Sequence, residues 1–152
     1  MVIPPMKPHA LVIDDEVIIC RALQAFLTKR GFRVTTAHSS VEVHREFSGQ
    51  HFDLVILDAD LGGEYGLALL PTFLQAHPPL PVIVYSGVGA ESELAGLARA
   101  KGACALVSKV DSLDVLWTEI QRALPALETT PQSPAPRPPG RRRTASPTAF
   151  PR

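Results

Sequence analysis

Five short, mostly apolar runs constrain this chain more than any other feature: residues 10–13, 32–37, 52–57, 82–85 and 104–107. Each ends at or next to a polar residue, and each is followed by a stretch with helical spacing. Runs of this length without polar alternation read as strands buried on both faces. The second is rich in β-branched residues, with Val34, Thr35 and Thr36. Between the runs, Val17, Ile18, Leu23, Phe26 and Leu27 mark a first helix, closed by Gly31. Ser39 or Ser40 can cap a second helix carrying Val41, Val43 and Phe47. Leu67, Leu70, Phe73 and Leu74 predict a third, to about His77, before Pro78 and Pro79 stop it. A small Ala-rich helix spans 91–101, and Asp111 or Ser112 caps a last one through Leu124. Apolar strands alternating with helices predict an α/β fold: a doubly wound five-stranded parallel sheet with five helices.

The pattern covers only part of the 152 residues. Residues 1–8 hold three prolines and read as a lead-in, 9–124 as one domain, and 125–152 as a tail. The tail has 8 of the 15 prolines, the run Arg141, Arg142, Arg143, and almost no large apolar residue. It cannot bury enough surface to fold alone, so it is expected to be disordered. Zero net charge conceals a division: residues 1–124 carry 10 basic and 14 acidic side chains, and the tail five arginines and one glutamate. Deleting 128–152 should therefore leave the melting temperature nearly unchanged; a large drop would mean the tail docks on the body. Cys20 and Cys104 form no ligand or disulfide pattern and are expected to be small core residues. There is no membrane-length apolar run and no secretory leader, so the expected location is cytoplasmic.

In an open parallel sheet, ligands sit beyond the carboxyl ends of the strands. There the chain places Asp14 and Asp15 after the first strand, Asp58 after the third, Ser86 after the fourth and Lys109 after the fifth. Three neighbouring carboxylates repel unless a cation joins them, and hard oxygen ligands suit Mg²⁺. An aspartate can attack phosphorus and form an acyl phosphate. The charge developing on the phosphoryl oxygens then needs a metal, a cation and a hydroxyl donor. Asp14 and Asp15 supply the metal site, Lys109 the cation and Ser86 the hydroxyl. Any one of these residues could be an incidental loop or surface residue. Their joint appearance at four strand ends could hardly be.

On these residues, 9–124 resembles the receiver domains of two-component response regulators. Asp14 and Asp15 match the family's acidic pair, Asp58 its phosphoacceptor, Ser86 its Thr or Ser, and Lys109 its Lys. The resemblance implies a flavodoxin-like sheet of order 2-1-3-4-5 and a Mg²⁺ site of Asp14, Asp15, Asp58 and the carbonyl of Asp60. It implies a stand-alone phosphoacceptor of the chemotaxis-regulator type, a signalling protein and not an enzyme in its own right. The phosphoryl group would come from a sensor histidine kinase or phosphotransfer protein. Output would be altered binding to an unidentified protein target, with phosphorylation-dependent dimerisation a further option.

Four positions depart from the family pattern. Val110 stands where a cis proline usually follows the Lys, and a cis bond before a non-proline costs about 2.5–4 kcal/mol. Gly62 replaces a proline, Leu106 replaces the switch aromatic, and Asp60 adds a carboxylate beyond the acceptor. The lost aromatic and proline motivate a second reading, a phosphorylation-independent interaction module. Asp58 and Asp60 also fit the Asp-x-Asp pair of haloacid-dehalogenase-type phosphatases, though in those enzymes the acidic pair comes late in the chain. No helix-turn-helix follows Leu124, so direct DNA binding is not expected.

Overall fold

The computed structural model describes residues 6–89, 91–125 and 127. Five strands form one parallel sheet: β1 (His9–Ile13), β2 (Arg33–Ala37), β3 (Leu54–Leu57), β6 (Val82–Ser86) and β7 (Ala105–Ser108). Their order is β2-β1-β3-β6-β7, which is 2-1-3-4-5 when only these strands are counted. This is the expected flavodoxin-like order. Five helices cover it: α1 (Val17–Thr28), α2 (Ser40–Phe47), α3 (Leu70–Leu74), α4 (Glu93–Ala100) and α5 (Leu113–Ala123).

Successive strand residues point to opposite faces, and each face has its own core. Leu11, Ile13, Val55, Leu57, Val82, Val84 and Leu106 pack with Val43, Phe73, Ala95 and Ala98. Ala10, Val12, Leu54, Ile56, Ile83, Tyr85 and Val107 pack with Cys20 and Leu23 of α1 and Leu116 and Ile120 of α5. Burial on both sides is the reason β1, β3, β6 and β7 lack polar alternation; the edge strand β2 is fully buried only at Ala37, and Arg33 is exposed.

Local chemistry sets the helix ends. Ser39 caps α2, its hydroxyl accepting from the Glu42 N–H at 3.2 Å. Gly31 (φ 89°) takes the left-handed backbone after α1 that L side chains resist. In α3, Pro71 lies in the first turn, the only place an α-helix tolerates it. The preceding turn, Gly66–Leu69, is therefore a 3₁₀ helix, and the α-helix ends at Leu74 and not near His77.

Other expectations are corrected by the packing. The buried stripe of α1 is Cys20, Leu23 and Leu27; Val17 and Ile18, placed on that face by spacing, are 49% and 81% exposed. Val41 is exposed as well. Cys20 is buried but Cys104 is exposed, so only one cysteine is a core residue. A hairpin that no periodicity announced follows Asp58: β4 (Asp60–Leu61) and β5 (Glu64–Tyr65), antiparallel. Its turn is Gly62 (φ 62°) and Gly63 (φ 95°), the paired left-handed geometry of a tight hairpin. Of the tail expected to be disordered, 125–152, only Pro125 and Leu127 are described; Leu127 is partly buried against the core that holds α1 and α5, and its N–H donates to the Leu124 carbonyl at 3.0 Å.

Candidate functional site

The order of the sheet decides which polar strand ends become neighbours. β1 lies between β2 and β3, with Ile13 opposite Leu57. The Asp58 N–H donates to the Ile13 carbonyl at 2.9 Å, and the Asp14 N–H to the Ala37 carbonyl at 3.1 Å. These bonds extend the ladders just past the strands, so Asp14, Asp15 and Asp58 emerge side by side. Each offers a carboxylate oxygen, and the three atoms lie within 4.8 Å of one another. On the other flank, the Lys109 N–H donates to the Ser86 carbonyl at 2.7 Å, tying the end of β7 to that of β6.

From there the Lys109 side chain reaches across the sheet edge. Its Nζ donates to Asp58 Oδ2 at 2.9 Å and lies 2.7 Å from Asp14 Oδ2. Asp14 and Asp58 are both buried, and Asp15 is exposed. Asp14 Oδ1 accepts from the Glu16 N–H at 2.9 Å, and Asp58 Oδ1 from the Asp60 N–H at 3.2 Å. The Cys20 thiol donates to the Asp14 carbonyl at 3.3 Å. Burial, with help from the Asp14 charge, raises the Asp58 carboxyl above its ordinary range; Lys109 and the Asp60 N–H act against this. Burial alone would lower the Lys109 ammonium, but its hydrogen bonds to Asp14 and Asp58 prevail and hold it above the usual lysine range. The Cys20 thiol is pushed up to about 11, chiefly by burial and then by the Asp14 charge, so it is no nucleophile at neutral pH.

One ammonium stands against three carboxylates. The cluster therefore has an unbalanced negative charge at a partly buried site, and its donors are all hard oxygens. That donor set fits a small divalent cation of the Mg²⁺ class. Ser86 is buried at the end of β6, where its hydroxyl oxygen lies 3.5 Å from the Val88 N–H. Asp60 does not join the cluster through its side chain. That carboxylate is exposed and accepts from the Gly63 N–H at 3.0 Å, closing the hairpin turn.

Two departures from the family pattern acquire a structural meaning here. The Lys109–Val110 peptide is trans, and Val110 is 85% exposed beside the site. Leu106 is buried and packs inwards with Val84.

Gly66 carries a constraint the sequence did not disclose. A Cβ built on it would run into the Asp58 carbonyl oxygen, and its N–H donates to the Ala59 carbonyl at 2.8 Å. The hairpin thus folds back onto the backbone of Asp58. In the sequence Gly66 is one of three loop glycines, and only the close approach sets it apart.

The comparisons agree with this geometry. Residues 10–121 match the model of the response regulator receiver domain. The regulatory protein VirG of Agrobacterium tumefaciens (strain 15955) is 32% identical over 120 residues, 79% of this chain and 44% of that protein. Protein PetR of Rhodobacter capsulatus is 35% identical over 86 residues, 57% of this chain and 36% of that protein. The chain thus spans less than half the length of these relatives. Among solved structures, NtrX from Brucella abortus superposes with a TM-score of 0.70 at 33% identity, over 81% of this chain and 27% of that one. A response regulator from Burkholderia pseudomallei, with a phosphorylated aspartic acid, calcium ion and citrate, gives 0.69 at 26% identity, over 80% and 75%. A strand order, a carboxylate cluster and a sequence match all lead to one family: this chain belongs to the response regulator receiver domains.

Proposed function

We propose that the chain is a phosphoacceptor in two-component signalling, with Asp58 as the acceptor. The observation that carries this is Asp58 Oδ2 held 2.9 Å from Lys109 Nζ, within a buried cluster that has two further carboxylates. An Asp58 carboxylate oxygen forms a bond to phosphorus while the donor's own bond to phosphorus breaks. That donor bond is P–N in a phosphohistidine and P–O in acetyl phosphate. Lys109 then stands beside the new phosphoryl oxygens, and the Ser86 hydroxyl can turn towards them from the neighbouring strand. Asp14, Asp15 and Asp58, with the Asp60 carbonyl, would hold Mg²⁺. When bound, the ion neutralises charge on the phosphoryl oxygens. The phosphorylated aspartate in the Burkholderia pseudomallei neighbour supports this reading.

The receiver would occupy 9–124, between the lead-in and the Pro/Arg-rich tail. A sensor histidine kinase or phosphotransfer protein would supply the phosphoryl group, in the cytoplasm, and a protein partner would read the result. With Leu106 at the switch position, the response should centre on the backbone after Ser86.

The test is direct. Incubation with acetyl phosphate and Mg²⁺ should add the mass of one phosphoryl group, EDTA should suppress the addition, and Asp58→Asn should abolish it. Labelling that survives Asp58→Asn would move the site elsewhere. A wild-type chain that takes up no phosphate from acetyl phosphate or phosphoramidate would favour the phosphorylation-independent module, which the buried Leu106 and the trans Lys109–Val110 bond also suit.

A further inference from the structure

At the end of the sheet away from Asp58, a histidine lies buried in a position the phosphoryl chemistry does not use. His9 opens β1 and is only 5% exposed. Both its ring nitrogens have partners. Nδ1 is 3.0 Å from the His51 carbonyl and Nε2 is 2.7 Å from Thr35 Oγ1. A carbonyl only accepts, so Nδ1 carries the proton, and the neutral Nε2 accepts from the Thr35 hydroxyl. The His9 backbone joins in: its N–H donates to Asp53 Oδ2 at 2.8 Å, and its carbonyl accepts from the Asp53 N–H at 2.7 Å. Its ring is also 4.4 Å from that of Phe52, centroid to centroid. One residue therefore binds the start of β1 to β2 on one side and to the approach of β3 on the other.

We propose that His9 is a pH-sensitive latch that holds the β2-β1-β3 edge together when neutral and loosens it when protonated. Arg33 faces it from β2, and His51 and Asp53 face it from the segment before β3. Lys7, on its own approach to β1, lines the same cavity of about 390 Å³ with Arg33, His51 and Asp53. That cavity gives solvent protons a route to the cluster. A second proton on the ring would lie in a buried site near Arg33 and would turn Nε2 into a donor, so the Thr35 hydroxyl would have to reverse. Burial first, then Arg33 and His51, disfavour the charged ring, while the His51 carbonyl and Asp53 favour it; the net direction is down from 6.5. A folded value below the unfolded one means that the unfolded chain binds the proton first. Stability is then full above about pH 6.5 and is lost as pH falls towards the folded value.

Urea unfolding of the full chain at pH 7.5, 6.5 and 5.5 tests this, with His9→Gln and His51→Gln alongside. His9→Gln keeps hydrogen-bonding capacity but cannot titrate there, and His51→Gln leaves the backbone carbonyl in place. Between pH 6.5 and 5.5 the wild-type unfolding constant should rise about three- to fivefold relative to His9→Gln. His51→Gln should follow the wild type. NMR of the wild-type imidazoles should show the neutral Nδ1–H tautomer for His9 and a midpoint below 6.5, a readout that survives even if His9→Gln does not fold. Parallel pH profiles for wild type and His9→Gln, or a His9 midpoint at or above 6.5, would overturn the latch.

Discussion

Lys109→Met will leave Asp14 and Asp58 facing each other without their shared cation, and both folding and phosphorylation will suffer. The ammonium lies 2.7 Å from Asp14 and 2.9 Å from Asp58, and both carboxylates are buried. Methionine keeps most of the apolar stem, so the change isolates the charge. Removing one partner of a buried ion pair costs about 3–5 kcal/mol, because the remaining charge has lost both water and counter-ion. The loss will be smaller than that limit to the extent that Asp58 takes up a proton, since burial already raises its carboxyl. Denaturant unfolding in EDTA will show the destabilisation. Adding Mg²⁺ should recover part of it if the three aspartates hold the ion. Phosphorylation by acetyl phosphate should slow about 10²-fold or more, the scale on which a lost donor to developing oxyanion charge is felt. Unchanged stability together with an unchanged rate would show that Lys109 is a bystander.

Gly66→Ala has an expected effect of similar size for a different reason. The added Cβ would run into the Asp58 carbonyl oxygen and lie 3.1 Å from the Ala59 carbonyl carbon. These are backbone atoms, so no side chain can swing aside. Either the β4–β5 hairpin lifts, losing the 2.8 Å bond from the Gly66 N–H to the Ala59 carbonyl, or the Asp58 peptide moves. Forcing extra volume into such a contact costs about 3 kcal/mol. Displacement of Asp58 should also weaken its contact with Lys109, so phosphorylation should slow with the loss of stability. Gly63→Ala serves as the comparison: its Cβ would meet nothing within 4 Å, and its only strain is the positive φ. If Gly66→Ala melts within about 0.5 kcal/mol of the wild type, the close approach is not a constraint on the fold.

The sequence by itself determined the class of the fold and which polar residues end the strands at one edge of the sheet. Both follow from local, repeated properties. Strands such as Leu54–Leu57 lack polar alternation because both faces are buried, and that is visible within four residues. In a parallel sheet all carboxyl ends lie at one edge, so Asp14, Asp15, Asp58, Ser86 and Lys109 could be assigned to one side before any contact was known.

Only the tertiary structure decided what touches what. Lys109 and Asp58 are 51 residues apart, and their meeting depends on crossovers that no local pattern encodes. The same holds for His9 and Thr35, 26 residues apart. Helical spacing placed Val17 and Ile18 on the packed face of α1, but the face turned to the sheet is the one carrying Cys20, Leu23 and Leu27, and both residues lie off it. Cys104 is as apolar as Cys20 and yet exposed, because burial depends on what lies above a residue and not on its own chemistry. The β4–β5 hairpin is too short to show a period, and the need for glycine at Gly66 comes from the Asp58 backbone, eight positions back in the chain but folded onto it. Periodicity reports which face of an element is apolar; strand order and close approach are properties of the assembled sheet.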